Sequence, residues 1–254
     1  NYRGGGADEF LRKNAKLVLP TLRSTQTLIL PSSYLLAVFE KFGVPGKIVP
    51  NIVDLSRFAP APNNRSPLSP HIVVTRNLET IYGIDIALKA FRLIFNHFPM
   101  ARMTIAGTGD HAHNLLEIAR ELNIADQVAF VGRLDREGIV ALYNSADILL
   151  NASRIDNMPN SLLEALASGV PIVSTNAGGI PYMVQQRETA LLVEIDDFSA
   201  MAQATLSILE NTELRSRLIE NGLAEARKYA WRSVSLSLAA AYADAIAQRK
   251  TRSM

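Results

Sequence analysis

The densest run of polar and charged side chains is Ser153-Arg154-Ile155-Asp156-Asn157-Met158-Pro159-Asn160-Ser161-Leu162-Leu163-Glu164-Ala165. It carries two carboxylates, Asp156 in a loop and Glu164 one turn into a helix that Asn160 can cap. The N–H groups at the start of such a helix attract anions, phosphate above all. Glu164 can then accept hydrogen bonds from ribose hydroxyls, and Asp156 from the hydroxyls of a sugar beyond the phosphates. The same spacing also fits a solvated helix face at Glu164 and a turn shaped by Asp156, and spacing alone leaves both open.

Other chemistry-bearing residues give weaker signals. Gly107-Thr108-Gly109-Asp110 resembles part of a dinucleotide fingerprint, but it lacks the third glycine and fits a tight turn better. His71, His97, His111 and His113 read as solvated residues at element ends or in a polar loop. Asn151-Ala152-Ser153 has the form of a glycosylation acceptor but falls in a strand expected to be buried.

The elements that must position these residues follow from periodicity. From His71 onward, short β-branched runs alternate with amphipathic stretches, the pattern of βαβ units around a parallel sheet. Strands are expected at 71–76, 102–107, 127–132, 147–153, 171–175 and 190–194. Helices are expected at 83–96, 112–122, 135–146, 160–168 and 180–186. Together they make one doubly wound domain over 71–230. Strands near 27–31 and 47–50 flank a helix at 33–42, too little for a second such domain alone. Residues 55–70 hold four of the 12 prolines and read as a linker. Three helices close the chain at 197–211, 212–229 and 231–249.

Composition narrows the classes of function. With 254 residues, 48% apolar and 20% charged, the chain is globular rather than disordered. No apolar run approaches the ~20 residues of a membrane-spanning helix. The absence of cysteine excludes disulfides, thiolate-held metals and thiol nucleophiles, and four histidines leave little for a metal site. A net charge of +2 gives nucleic acid no electrostatic footprint. Residues 1–54 carry seven Lys/Arg against four Asp/Glu, so an anionic surface would meet this part. The first residue is Asn1 and no signal-like segment precedes Gly4-Gly5-Gly6, so the chain reads as a fragment.

The Asp156-to-Glu164 stretch, followed by Ala165 and Gly169-Val170-Pro171-Ile172-Val173, resembles the signature of family 4 retaining glycosyltransferases of the GT-B fold. Further matches are Pro50-Asn51-Ile52-Val53-Asp54 with Phe58 and Pro60, Ala106-Gly107-Thr108-Gly109 and Phe130-Val131-Gly132. Ala146-Asp147, Gly178-Gly179-Ile180-Pro181 and Tyr229-Ala230-Trp231 complete the set, in family order.

The resemblance implies an α/β, GT-B type architecture: a Rossmann-like, doubly wound donor domain at 71–230 and a partial second α/β domain at 1–54 on the acceptor side. A helix at 231–254 would pack back toward the latter. It implies retaining transfer of a hexose from a nucleotide-diphosphate sugar to a glycan, lipid-linked or small-molecule acceptor, without metal or other cofactor. Glu164 maps to the ribose-binding carboxylate. Asp156 maps to the carboxylate that contacts the donor sugar, where the family usually has Glu. The backbone at Met158, Pro159, Asn160, Ser161 and Leu162 would contact phosphate, Gly107 would line the cleft, and Gly132, Arg133 and Leu134 would lie near the base. Where the family has two cations for the diphosphate, this chain has Arg76 and Tyr82, so either another base such as Arg133 compensates or the diphosphate depends more heavily on Arg76 and the helix N-terminus.

Tyr2-Arg3-Gly4-Gly5-Gly6 and the helix around Arg12, Lys13 and Lys16 would belong to the acceptor side, where relatives can touch lipid-linked or anionic acceptors. A cytoplasmic enzyme of polysaccharide biosynthesis, peripheral at the inner membrane face, is the corresponding location, and the chain alone would be inactive. The alternatives are a nucleotide-sugar binding module without transfer and a nucleotide-sugar 2-epimerase of the same fold.

Overall fold

The computed structural model describes residues 6–61 and 68–252, with side chains through Ala247. Tyr2 to Gly5 and the middle of the expected linker, 62–67, lie outside the described residues.

Six strands form one parallel sheet: β3 (His71–Thr75), β4 (Arg102–Ala106), β5 (Val128–Gly132), β6 (Ile148–Asn151), β7 (Ile172–Thr175) and β8 (Leu191–Val193). Their order is β5-β4-β3-β6-β7-β8, so the winding reverses between β3 and β6. In open parallel sheets this switch leaves a crevice at the carboxyl ends of the strands, where ligands bind.

Alternation along the strands divides the core into two layers, because successive side chains point to opposite faces. Ile72, Val74, Ile148 and Leu150 face α3 (Ile84–His97), α4 (Ala112–Glu121) and α7 (Phe198–Glu210). Val73, Leu149 and Ile172 face α5 (Arg136–Ser145) and α6 (Asn160–Ala167). The helix α8 (Thr212–Ala226) supplies Leu214 and Leu218 to the first layer and Ala226 to the second.

Before the large sheet, α1 (Ala7–Arg23), β1 (Ile29–Leu30), α2 (Ser33–Glu40) and β2 (Lys47–Ile48) enclose a small core of Leu11, Leu30, Leu35 and Phe39. The helix around Arg12, Lys13 and Lys16 is thus part of α1, with Arg12 and Lys13 paired one turn back to Asp8 and Glu9. Val53 bridges to Ala230, and Lys47 pairs with Asp244 on α9 (Trp231–Arg252).

Two expectations are corrected. The helix expected at 180–186 is only a 3-10 turn, Ile180–Tyr182. Beyond it the Gln185 carbonyl accepts the N–H groups of Glu188, Thr189 and Ala190, while Thr189 Oγ1 accepts the Gln185 N–H at 2.8 Å. These local bonds replace the helical ladder. His71 is also buried rather than solvated: its ring reaches the Ser145 carbonyl (3.0 Å) and Thr104 Oγ1 (2.8 Å).

Candidate functional site

A cavity of about 420 Å³ opens at the carboxyl ends of β3, β4 and β6, at the reversal in strand order. Its walls include Arg76, Tyr82, Gly107, Arg133, Leu134, Asp156, Met158, Pro159, Asn160, Ser161 and Glu164, residues up to 88 positions apart in sequence (76 to 164). Thr75, Asn77, Ala106, Ile139 and Asn51 complete the lining. Of the residues singled out from the sequence, Gly132 and Leu162 do not line it. Gly132 stands one step behind the wall, where its carbonyl accepts the Gly107 N–H (2.8 Å). Leu162 is fully buried in the core, and its N–H turns back to the Pro159 carbonyl (3.2 Å).

Backbone contacts fix the loops around the cavity. Gly107, at φ +155°, lies so close to β3 that a Cβ there would stand 1.9 Å from the Arg76 carbonyl oxygen. Gly178, at φ +53°, presses on Asp156 in the same way, at 2.1 Å. The glycine pair after β7 therefore supports the loop that carries Asp156. From the other end of the chain, Asn51 donates its side-chain amide to the Met158 carbonyl (2.9 Å), and Ser32 bonds the Asn157 side chain.

The two groups expected to serve different parts of a ligand meet directly. Arg76 and Asp156 form an ion pair, with side chains only 13% and 10% exposed. Asp156 also accepts the Ser153 hydroxyl (3.1 Å) and the Asn157 N–H (2.9 Å). The Arg76 guanidinium lies 4.1 Å from the centroid of the Tyr82 ring, a cation–π contact. Tyr82 thus supports the cation at a position where it adds no charge. Burial pushes the Tyr82 phenol above its usual range. The Arg76 Nε is buried without a hydrogen-bond partner, a donor left for an acceptor that the protein does not supply.

The start of α6 corrects one detail. Asn160 is the first helical residue, exposed, and does not cap the helix; Pro159 precedes it and no side chain caps the turn. Proline already holds the backbone angle needed next to a helix start. Asn160 and Ser161 therefore bring uncapped first-turn N–H groups to the cavity wall. The Ser161 hydroxyl is buried there without a partner.

Glu164 presents its carboxylate from the second turn of α6. Burial pushes this carboxyl above the usual range, opposed by a hydrogen bond from the Tyr143 phenol to Oε2 (3.1 Å). Sequence reasoning gave Tyr143 no role. The available signal was its place one turn after Ile139 on the apolar side of α5, since a phenol buried there needs a polar partner.

Arg154 was also missed. It bonds both oxygens of Asp85 (3.1 and 2.8 Å), Asp196 (2.7 Å) and the Thr80 carbonyl (2.6 Å). It thereby ties the Asp156 loop to the 3-10 turn that carries Tyr82. Among the described residues, no group of three or more His, Cys, Asp or Glu side chains is placed to hold a metal ion.

A doubly wound parallel sheet with a polar cavity at its switch point defines an α/β protein whose ligand crevice lies at the carboxyl ends of the strands. The family model for glycosyl transferases group 1 matches residues 58–225, well over half of the chain, and the chain belongs to that family. It is 31% identical to D-inositol 3-phosphate glycosyltransferase of Corynebacterium glutamicum (strain R) over 176 residues, 67% of this chain and 42% of that protein. It is 29% identical to N-acetyl-alpha-D-glucosaminyl L-malate synthase of Bacillus anthracis over 144 residues, 57% of this chain and 37% of that protein. The chain spans less than half the length of these curated relatives.

Among solved structures, HepE of Anabaena in complex with UDP and glucose superposes with a TM-score of 0.82 at 18% identity, covering 93% of this chain and 67% of that one. The C-terminal domain of the group 1 protein LpcC from Francisella tularensis gives 0.63 at 22% identity, covering 69% and 97%. The fold is that of GT-B glycosyltransferases. No described helix is long and apolar enough to cross a membrane.

Proposed function

We propose that the cavity binds the nucleotide-diphosphate sugar of a retaining, metal-independent hexosyl transfer. The observation that carries this reading is the convergence, in about 420 Å³, of Arg76, the uncapped turn at Asn160 and Ser161, and two carboxylates, Asp156 and Glu164. A diphosphate fits between the guanidinium and the helix start, where the unpartnered Arg76 Nε and Ser161 hydroxyl gain acceptors. Glu164 then takes the ribose hydroxyls and Asp156 those of the sugar. Gly107, Arg133 and Leu134 line the cavity beside them.

In the transfer, the bond from the anomeric carbon to the phosphate oxygen breaks while an acceptor hydroxyl bonds that carbon from the same face, its proton passing to the departing phosphate oxygen. Arg76 and the α6 start stabilise the charge gathering on the leaving diphosphate. Tyr82 holds the guanidinium over its ring but supplies no second charge, so the burden falls on Arg76 and the helix. The acceptor is a glycan, a lipid-linked sugar or a small molecule. The excess of basic residues in 1–54 favours an anionic acceptor or a membrane surface on that side.

Calorimetric titration with UDP, GDP, ADP and their sugar nucleotides tests the reading, with Glu164→Ala alongside and each titration run with and without EDTA. Saturable binding of one nucleotide, weakened by the substitution, is expected. Binding that ignores Glu164→Ala, or that vanishes with EDTA, refutes the assignment.

A further inference from the structure

The phenol of Tyr143 is fully buried between two elements of the cavity. Its ring packs edge-on against Phe58, with centroids 5.9 Å apart. The hydroxyl lies 2.8 Å from Thr75 Oγ1 at the end of β3, 3.1 Å from Glu164 Oε2 and 3.2 Å from the Ser161 carbonyl. A phenol has one proton and two lone pairs. The carboxylate and the carbonyl can only accept, so the phenol proton goes to one of them and the Thr75 hydroxyl can donate in turn. An ionised Glu164 takes that proton in the stronger, charge-assisted bond. The chain Thr75 to Tyr143 to Glu164 thus runs from the sheet to the helix beneath the cavity floor. No hydrogen bond from a described residue occupies Glu164 Oε1.

We propose that Tyr143 is a positioning residue for Glu164: anchored on Thr75, it holds Oε2 and fixes the carboxylate in the orientation and acceptor form in which Oε1 meets a vicinal diol. The proposal rests on the assignment of Glu164 to the ribose. It goes further by giving the discrimination between a ribose diol and a sugar that lacks it to a residue that no ligand touches. A carboxylate held at one oxygen loses little freedom when the other is bound, whereas a free one must be ordered by the ligand itself.

The charged and titratable groups around this chain are few. Arg76 acts on Tyr143 from just past the end of β3, and Glu164 and Tyr143 act on each other across α5 and α6. Burial raises both groups, and the phenol's hydrogen bond opposes the rise at Glu164. Removing the hydroxyl therefore sends the Glu164 carboxyl further up.

Two measurements on Tyr143→Phe test this, with Thr75→Val and Glu164→Gln beside it. The first compares the affinity of the bound nucleoside diphosphate with that of its 2′,3′-dideoxy analogue. Tyr143→Phe is expected to lower the ribose preference about tenfold, the low end for a hydrogen bond to a charged group. Thr75→Val should lower it less, and Tyr143→Phe should add little in a Glu164→Gln background.

The second follows the Glu164 carboxyl ¹³C resonance, identified by its loss in Glu164→Gln, through a pH titration without ligand. Its midpoint is expected to move up in Tyr143→Phe. A ribose preference unaffected by Glu164→Gln would sink the ribose assignment. An unmoved Glu164 midpoint in folded Tyr143→Phe would overturn the role of Tyr143, whatever the first measurement gave.

Discussion

Replacing Arg154 with alanine removes the cation that joins the Asp156 loop to the turn bearing Tyr82, and the size of the loss can be worked from its partners. Asp196 is 53% exposed, and an ion pair in such a setting contributes well under ~1 kcal/mol. Asp85 is 17% exposed and bonded through both oxygens, so its carboxylate would be left in a poorly solvated place without a counter-charge. Orphaning a fully buried charge costs ~3–5 kcal/mol. Arg154 itself is 26% exposed, which brings the expectation down to about 2 kcal/mol.

With a urea slope of ~2 kcal/mol per molar, the unfolding midpoint of Arg154→Ala should fall by about 1 M. The double variant Arg154→Ala/Asp85→Asn, which keeps the shape of Asp85 and removes its charge, should recover about half of that loss. Urea unfolding followed by circular dichroism measures both. If the double variant were no more stable than Arg154→Ala alone, the cost would not come from a stranded Asp85 carboxylate and the reasoning would fail.

Gly107→Ala places a Cβ 1.9 Å from the Arg76 carbonyl at a positive φ, so β3 or the loop must move; we expect a loss of about 2 kcal/mol or more in thermal unfolding, with weaker nucleotide binding. Asp156→Asn removes the carboxylate that competes for Arg76, so calorimetry should show nucleoside diphosphate binding several-fold tighter, about 1 kcal/mol, while transfer by the protein with its acceptor falls. Because burial raises Glu164, nucleotide binding should weaken at a higher pH than an exposed carboxylate would give, and Glu164→Gln should flatten that limb of the binding profile. Stability carries the opposite sign. In the window between the unfolded and folded pKa the native state holds the extra proton, so the Glu164 contribution falls as pH rises, and chemical unfolding of Glu164→Gln across pH should lack that slope.

The parallel sheet was legible because burial on both faces writes itself into the strands: Ile72-Val73-Val74 and Ile148-Leu149-Leu150 are apolar throughout, each strand feeding two layers. The two carboxylates after β6 were legible as a pair because one loop and one helical turn set their separation. Their partners were not. Arg76 and Asp156 stand 80 positions apart, and only the strand order places the end of β3 beside the loop after β6. The contact between Tyr143 and Glu164 depends on how α5 and α6 cross, which neither helix records in its own periodicity. The start of α6 was misread for a local reason, since Asn160 is a favoured cap by type but follows a proline already set for the boundary. His71 was misread because its position at a strand end does not reveal the Ser145 and Thr104 groups that enclose its ring.

The close approach of Gly107 to the Arg76 carbonyl and of Gly178 to the Asp156 carbonyl means that main chain rests on main chain around the cavity. At these two points the loops are held by main chain, independently of the side chains that line the cavity, while Arg154 and Asn51 tie them elsewhere. Exchanging the lining side chains Arg133 and Asn160 should therefore leave the course of the loops unchanged. On the proposed reading, redesign of the donor preference begins at those side chains and leaves the glycines untouched, since a methyl group at either one would meet a carbonyl oxygen at 1.9 or 2.1 Å and displace the lining loops.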